Sequence, residues 1–286
     1  MSRIRLSTGV ERAASAIEHV WPGFDVIEGY IDSPDPILSI DKLRAHCAGL
    51  IITERAKPYA PMSGVHVKVL QPSSEFLQIL LDDLGGRYTF DVTYLEVAAD
   101  FFLHPSASRN AFLRWLLGHL TFKHLRQRVV RAKRTRSLYY GRRTNKAGER
   151  RSRVGVIYNR RSKLAGPYKG RKCVHVELRL SGIDAVRSVG VFTLPDLIDF
   201  DHTTFWPAVA KLRRIAGKTK LGRIIGGRAD NATPKALQKR ARTWRDQHRI
   251  GRAFVLHNAL LAVPRAKGAL EPIDFKLIFR FSDPAE

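Results

Sequence analysis

Carboxylates occur on two stretches whose alternating pattern predicts buried β-strands. Within residues 173–180, apolar and polar residues alternate, so Glu177 projects from the polar face of its strand between a histidine and an arginine. Within residues 88–102, Glu96 and Asp100 share the face opposite the apolar side chains. A carboxylate on a core strand needs a partner. Two interpretations stay open, ion pairs with arginine or a hard divalent cation, Mg²⁺ or Mn²⁺, that faces phosphate.

Two consecutive tyrosines occupy a third short stretch, residues 137–142, which is also predicted to be a strand. Alternation places Tyr139 and Tyr140 on opposite faces, so only one of them can lie beside the carboxylates. A phenol has an ordinary pKa near about 10 and is a weak nucleophile until a cation favours the phenolate. The stretch therefore indicates either an activated tyrosine that attacks a phosphodiester or a tyrosine that only packs in the sheet.

The charge of the chain is its most unusual bulk property. Lys and Arg number 50 against 26 Asp and Glu, a formal net charge of +24, while the hydrophobic fraction of 44% is that of an ordinary globular protein. Residues 123–172 hold nineteen Lys and Arg and a single acid, Glu149, and residues 211–252 form a second basic block. Basic blocks of this density favour a nucleic-acid backbone, and the alternative is a solvated basic loop. We predict nucleic-acid contacts from Arg131, Lys133, Arg134, Arg136, Arg142, Arg143, Arg160, Arg179, Lys235, Lys239 and Arg242.

Membrane and secretory classes are disfavoured. No apolar run approaches the roughly 18 residues that span a bilayer, and charged residues interrupt the first 21 positions. The two cysteines, Cys47 and Cys173, give neither a disulfide pattern nor a metal pattern. We therefore expect a cytoplasmic protein without a membrane partner.

The order of predicted elements repeats once along the chain. Strands at 25–31, 50–53 and 65–70 accompany helices at 40–48 and 73–84. A strand at 88–102 and a helix at 106–122 then precede strands at 137–142, 154–159 and 173–180 and a helix at 183–188. This pattern predicts an α+β fold, with helices packed on one face of a mostly antiparallel sheet, and suggests two similar halves.

The order of predicted elements divides the chain into three segments. Residues 1–86 form an N-terminal α+β half, residues 87–204 form the catalytic and DNA-binding half, and residues 205–286 form a basic, helical C-terminal segment. In that last segment we expect helices at 205–215 and 233–249 and a closing strand at 274–281.

The middle of the chain, from about residue 90 to about residue 200, resembles the trans-acting replication initiator proteins of small rolling-circle plasmids and filamentous phages. That family typically has an Arg-Leu-Asp strand ending in another Asp, a Tyr-x-Gly-Ser-Arg turn, a Tyr-Asp-Lys strand and a Val-Glu-x-Arg-Leu strand. The corresponding stretches are Tyr94-Leu95-Glu96 with Asp100, Tyr139-Tyr140-Gly141-Arg142-Arg143, Tyr158-Asn159-Arg160 and Val176-Glu177-Leu178-Arg179-Leu180.

The resemblance implies a nickase and strand transferase that initiates DNA replication. It places the nucleophile on Tyr139 and the Mg²⁺ or Mn²⁺ ligands on Glu96, Glu177 and Asp100. It also implies DNA, as a single strand or an origin duplex, as the main partner, with a host helicase and a homodimer among the expected assemblies. Two alternatives stay open at this point: a non-enzymatic DNA- or RNA-binding regulator, and a basic protein of a ribonucleoprotein or phage particle.

Overall fold

The computed structural model describes residues 8–33, 35–56, 63–123, 125, 129–131, 138–140, 152–162, 168–215 and 270–281. Eleven strands and seven helices lie in these residues. The strands are β1 Ile17–Ile31, β2 Gly49–Ala56, β3 Ser63–Leu70, β4 Phe90–Leu103, β5 Leu120–Phe122, β6 Val129–Arg131, β7 Leu138–Tyr140, β8 Arg153–Arg161, β9 Lys172–Ser181, β10 Ala210–Ile215 and β11 Leu270–Pro272. The helices are α1 Thr8–Ala16, α2 Ile40–Ala45, α3 Ser74–Leu84, α4 Arg109–His119, α5 Ile183–Arg187, α6 Leu194–Ile198 and α7 His202–Val209.

One eight-stranded sheet organises the molecule, in the order β2-β3-β1-β4-β9-β8-β7-β6. Every pairing described between its strands is antiparallel. The two longest strands, β1 and β4, lie side by side at its centre. Outward from this pair, the first half runs β1, β3, β2 and the second runs β4, β9, β8. The two halves therefore share one strand order, as the repeated element pattern predicts, and they meet in a single continuous sheet.

Helices cover one face of this sheet. On β4, Leu95, Val97 and Phe101 are fully buried in the same hydrophobic core as the apolar residues of the helices. The helix boundaries follow local chemistry. The Ser73 side chain accepts a hydrogen bond from the Phe76 backbone N–H at the start of α3, and Gly85 ends that helix in the left-handed conformation, at φ 55°.

Three predicted elements differ from the structure: two helices end earlier than expected, and one strand is wrong. The helix expected at 106–122 ends at His119, and Leu120–Phe122 pairs as β5 with β10. The helix expected at 205–215 is also short, because α7 ends at Val209 and the chain continues as strand β10. In β10, Ala210 and Leu212 are buried while Lys211 is exposed, an alternation of period two that outweighs the helical pattern before it.

The strand expected at 274–281 is wrong as well. Residues Phe275–Leu277 form a 3₁₀ helix whose first turn is capped by Asp274. Ile278 and Phe279 are both buried, which a strand with one buried face does not allow for consecutive residues. Phe281 forms an isolated bridge with Val20.

The predicted segment boundaries fall at different kinds of places. The boundary at 86/87 lies in the connection between α3 and β4, whereas residue 205 lies inside α7. The helix predicted at 233–249 is outside the described residues. Among the helices that the structure describes, none has the length and apolar character needed to cross a membrane.

Candidate active site

The face of the sheet opposite the helices, here called the polar face, carries a cluster of charged groups on its four central strands. Alternation puts Glu96 and Asp100 of β4 on this face, and the pairing of Asp100 with His175 aligns them with β9. Tyr158 of β8 pairs with His175 from the other side. The members of the cluster are Asp25, Tyr94, Glu96, Asp100, Tyr158, Arg160, His175, Glu177 and Arg179.

Asp25 reaches the polar face through an irregularity in β1. The register against β4 shifts between Phe24 and Val26, so Asp25 is an extra residue at a bulge. Its carboxylate accepts hydrogen bonds from Gln71 Nε2 at 2.6 Å and from Arg160 Nη1 at 2.8 Å. The bulge thus brings an acid of the first half against the strands of the second half.

His175 lies at the centre of the cluster and is fully buried. Its Nδ1 is 2.6 Å from Asp100 Oδ1, and its Nε2 is 2.8 Å from Glu177 Oε2 and 3.8 Å from Asp25 Oδ2. Burial disfavours the charged imidazolium, but the Asp100 carboxylate and the hydrogen bonds to Asp100 and Glu177 outweigh it and raise the pKa of His175 to about 9. At neutral pH the ring is therefore a cation held between carboxylates.

Arg160 connects the two acids on either side of this histidine. Its guanidinium reaches Asp25 at 2.8 Å and Asp100 at 2.9 Å, and its side chain is only 10% exposed. Burial alone would raise the pKa of Asp100, yet His175 and Arg160 lower it to about 2. Asp100 is therefore ionised and saturated with donors.

Arg179 of β9 likewise connects two acids, Glu177 and Glu96. Its Nε lies 2.6 Å from Glu177 Oε1 and 3.1 Å from Glu96 Oε1, and Tyr94 also donates its hydroxyl to Glu96. Burial and the neighbouring Glu177 carboxylate raise the pKa of Glu96 to about 7. With Glu96 protonated, three carboxylates and three cations balance: Asp25, Asp100 and Glu177 against Arg160, His175 and Arg179.

Three residues of this cluster have the spacing of metal ligands. One ligand atom each of Asp25, His175 and Glu177 lies within 4.8 Å of the others, and we call these three residues the carboxylate–histidine cluster. Two carboxylate oxygens and one imidazole nitrogen suit a divalent cation such as Mn²⁺. Asp100 binds the opposite ring nitrogen, as the carboxylates behind metal-binding histidines do. The residues present therefore fit a divalent metal, provided that the metal displaces the proton on His175 Nε2.

The sequence-predicted metal residues divide between this cluster and its surroundings. Glu177 is a member of the carboxylate–histidine cluster. Glu96 shares its face on the adjacent strand, as alternation predicts, but Arg179 and Tyr94 bind its oxygens. Asp100 is bound by His175 and Arg160. Both acids thus lie next to the carboxylate–histidine cluster and are not members of it.

Asp25 and His175 are the members that the sequence reasoning did not assign. The strand predicted at 25–31 begins at Asp25, whereas β1 extends back to Ile17, and nothing in the alternation marks a bulge beside Phe24. The signal for His175 was available, because it lies two residues before Glu177 on the same face of one strand.

The two consecutive tyrosines point to opposite faces, and the predicted register is confirmed. Tyr140 is fully buried in the main core, where it donates a hydrogen bond to the Leu120 carbonyl at 3.2 Å. Tyr139 lies on the polar face and packs with Val154, Val156 and Tyr158. It pairs with Val156, which pairs in turn with Glu177. Two strand spacings, roughly 10 Å, therefore separate the backbones of Tyr139 and Glu177.

Tyr158 is a further tyrosine of this face and lies beside His175. Its ring contacts the imidazole edge-on, with the centroids 4.9 Å apart. Burial, followed by the Glu177 carboxylate, raises the pKa of Tyr158 well above its ordinary value. The next residue, Asn159, occupies the position of an acid in the resembled family, and its amide donates to Asn110 at the start of α4. This departure from the family pattern therefore lies on the helix side of the sheet.

The predicted nucleic-acid contacts fall into three groups. Arg160 and Arg179 lie in the charged cluster, where carboxylates bind their guanidinium groups. Arg131 is the last residue of β6. The remaining predicted contacts lie outside the described residues: Lys133, Arg134, Arg136, Arg142, Arg143, Lys235, Lys239 and Arg242.

In comparisons with protein-family models, curated proteins and solved structures, no match to this chain was found.

Proposed function

We propose that this chain is a metal-dependent enzyme that cleaves and rejoins single-stranded DNA through Tyr139, in the manner of an initiator of rolling-circle replication. One observation carries the proposal. Tyr139 projects from the same face of one continuous sheet as the carboxylate–histidine cluster, and a single strand, β8, separates its strand from that of Glu177. The formal charge of +24 supports a polyanionic substrate.

The separation between the two groups suits a phosphodiester. The scissile phosphate would bind across this distance of roughly 10 Å, between the phenol oxygen and the carboxylates. Tyr158, which lies nearer to Glu177, is the poorer nucleophile, because burial and Glu177 raise its pKa and keep the proton on its oxygen. These features together favour Tyr139 over Tyr158.

The reaction is a transesterification. The Tyr139 oxygen forms a bond to phosphorus as the bond from phosphorus to the 3′ oxygen of the preceding nucleotide breaks, and the phenol proton passes through solvent to that 3′ oxygen. The products are a 5′-phosphotyrosyl ester and a free 3′-hydroxyl, and the reverse reaction rejoins the strand without a nucleotide cofactor. A divalent cation held by Asp25, His175 and Glu177, Mn²⁺ or Mg²⁺, would supply positive charge to the scissile phosphate.

A second candidate, a non-enzymatic DNA- or RNA-binding protein, is favoured by the charge balance within the cluster. Arg160, Arg179 and His175 together neutralise the carboxylates of Asp25, Asp100 and Glu177, so the network needs no metal to balance its charge. The two candidates differ in whether the phosphodiester bond is broken.

Incubation of the purified protein with single-stranded origin-region DNA and Mn²⁺, followed by denaturing electrophoresis, tests the proposal. We expect cleavage that requires the metal and that chelation abolishes. Glu75→Gln, which changes a carboxylate at the start of α3, serves as the matched control for Glu177→Gln. DNA that is bound but uncleaved under all metal conditions would favour the second candidate.

A further inference from the structure

An aromatic patch borders the charged cluster on the polar face. His19 and Trp21 of β1 and Phe102 of β4 belong to this face, and Trp21 pairs directly with Asp100. Tyr168 packs over them, stacked on His19 at 4.8 Å and in contact with Phe102 at 4.6 Å and with Trp21 at 5.5 Å. Phe102 is fully buried, whereas His19, Trp21 and Tyr168 stay partly exposed.

A short turn fixes Tyr168 in this position and adds positive charge. The turn closes through a hydrogen bond from the Arg171 N–H to the Tyr168 carbonyl, with Gly170 at φ 73°. The Arg171 guanidinium lies 5.3 Å from the ring centroids of Tyr168 and Phe102. Lys169 and Lys172, its neighbours in the turn and on β9, are exposed. Arg171 is paired with Glu18 at 2.6 Å, so the net positive charge at the rim of the aromatic patch comes from the two exposed lysines.

Two small residues, Gly23 and Ala98, lie on the polar face between this patch and the carboxylate–histidine cluster. Gly23 pairs with Ala98, and Ala98 pairs with Glu177. No atom of the described residues lies within 4 Å of a side-chain carbon placed on Gly23. Trp21 and Asp25 flank this glycine on the same strand. The result is a hollow with an indole on one side and a member of the cluster on the other.

The indole of Trp21 is partly exposed beside this hollow. Both described rings in contact with it, His19 and Tyr168, meet it at tilted angles of 47° and 51°, so neither lies flat on the indole. A flat, neutral, polarizable group stacks on such a face, and the exposed lysines suit an anionic backbone attached to it. A nucleobase of a single strand has these two properties, whereas a paired base has both faces occupied by its neighbours in the stack.

We propose that the hollow above Gly23 binds one base of single-stranded DNA, which stacks on Trp21 next to the carboxylate–histidine cluster. This rests on the proposed function and adds the place where the strand is held beside the site of cleavage. Stacking tolerates any base, so the hollow positions the strand without reading its sequence.

The test measures equilibrium binding of a fluorescent oligothymidylate without divalent metal, so its result does not depend on cleavage. Trp21→Leu should weaken binding by about 5- to 100-fold, and Trp21→Phe should retain most of the affinity. Gly23→Leu, which fills the hollow in a conformation open to any side chain, should weaken binding as well. Phe192→Leu, at an exposed aromatic after α5, is the control and should leave affinity unchanged.

An abasic strand of the same length separates stacking from charge. Trp21→Leu should bind the abasic strand with the same affinity as the wild type, and the same should hold for the corresponding duplex. Neither of these two nucleic acids offers an unpaired base. Equal weakening of the thymidine strand and the abasic strand by Trp21→Leu would overturn the proposal, since the loss would then not involve a base. So would unchanged affinity of Trp21→Leu for the thymidine strand. Absence of cleavage in a separate assay would contradict the proposed function and leave this binding result standing.

Discussion

The Nδ1 atom of His175 lies 2.6 Å from Oδ1 of Asp100, so a buried carboxylate sets which edge of the imidazole faces Glu177 and Asp25. The two residues are paired across β4 and β9, on the polar face, and both are almost fully buried. This arrangement directs Nε2 toward the two carboxylates with which it forms the carboxylate–histidine cluster. Asp100 would therefore act through the histidine on a metal held by this cluster.

Replacement of Asp100 by asparagine should weaken Mn²⁺ binding by about 10- to 100-fold, because the amide still accepts a hydrogen bond but no longer carries the charge that orients and polarises the ring. Isothermal titration calorimetry with Mn²⁺ measures the change. Asp199→Asn, at an exposed position after α6, is the matched control. Unaltered Mn²⁺ affinity in Asp100→Asn would exclude a supporting role for this carboxylate.

The paired substitutions Glu177→Gln and Glu96→Gln distinguish the ligand set of the structure from that of the family resemblance. Glu177→Gln should abolish Mn²⁺ binding and lower the free energy of unfolding by about 3 kcal/mol, because it leaves Arg179 and His175 short of a buried carboxylate. Glu96→Gln should change both quantities little, since the raised pKa of about 7 already keeps this acid partly protonated. Equal loss of Mn²⁺ affinity in the two variants would instead assign Glu96 as a ligand.

The stability of the protein should fall in acid partly through His202. Burial lowers the pKa of this histidine from 6.5 to about 4, so its neutral ring packs among Phe24, Phe200 and Phe281. As the pH falls, His202 binds a proton near pH 6.5 in the unfolded chain but only near pH 4 in the folded chain. Stability from this group is therefore present above pH 6.5 and is lost as the pH falls through 4.

His202→Phe should remove about 2 to 3 kcal/mol of this acid sensitivity, the lower figure allowing for the partial exposure of the ring. Urea unfolding at neutral pH and near pH 4 measures the difference, and His104→Gln at an exposed histidine is the control. The same loss of stability in wild type and His202→Phe would show that other groups carry the acid sensitivity.

Nucleic-acid binding should depend steeply on salt. With nineteen Lys and Arg in residues 123–172 and a second basic block at 211–252, the slope of log K against log[salt] should be on the order of −5 to −9. Fluorescence anisotropy titrations at several salt concentrations give this slope. A value shallower than about −2 would assign most of these charges to solvated surface.

Alternation was sufficient to predict the sheet faces and part of the site. It placed Glu96, Asp100 and Glu177 on one face and separated Tyr139 from Tyr140, because a strand with one buried face fixes the direction of every second side chain. The strand order that brings β1 against β4 is a long-range pairing without a local signal. The bulge at Asp25 depends on that pairing, and so does the cluster that Asp25 completes.

The errors in element boundaries have a similar cause. Short segments such as 210–212 fit the end of a helix or a strand equally well, and only the partner strand β5 decides between them. The prediction that Arg160 and Arg179 contact nucleic acid also did not include their carboxylate partners within the protein. The sequence gives no indication that acids from distant strands bind those two guanidinium groups.

The most direct measurement is the detection of a covalent protein–DNA adduct and the mapping of its attachment site by mass spectrometry. With single-stranded origin-region DNA and Mn²⁺, we expect a phosphotyrosine linkage on Tyr139. Tyr139→Phe should lose the adduct while retaining DNA affinity, and Tyr140→Phe should keep it, because Tyr140 lies in the core on the opposite face. An adduct that survives Tyr139→Phe, or none in the wild type with DNA and metal present, would contradict the assignment of Tyr139 as the nucleophile.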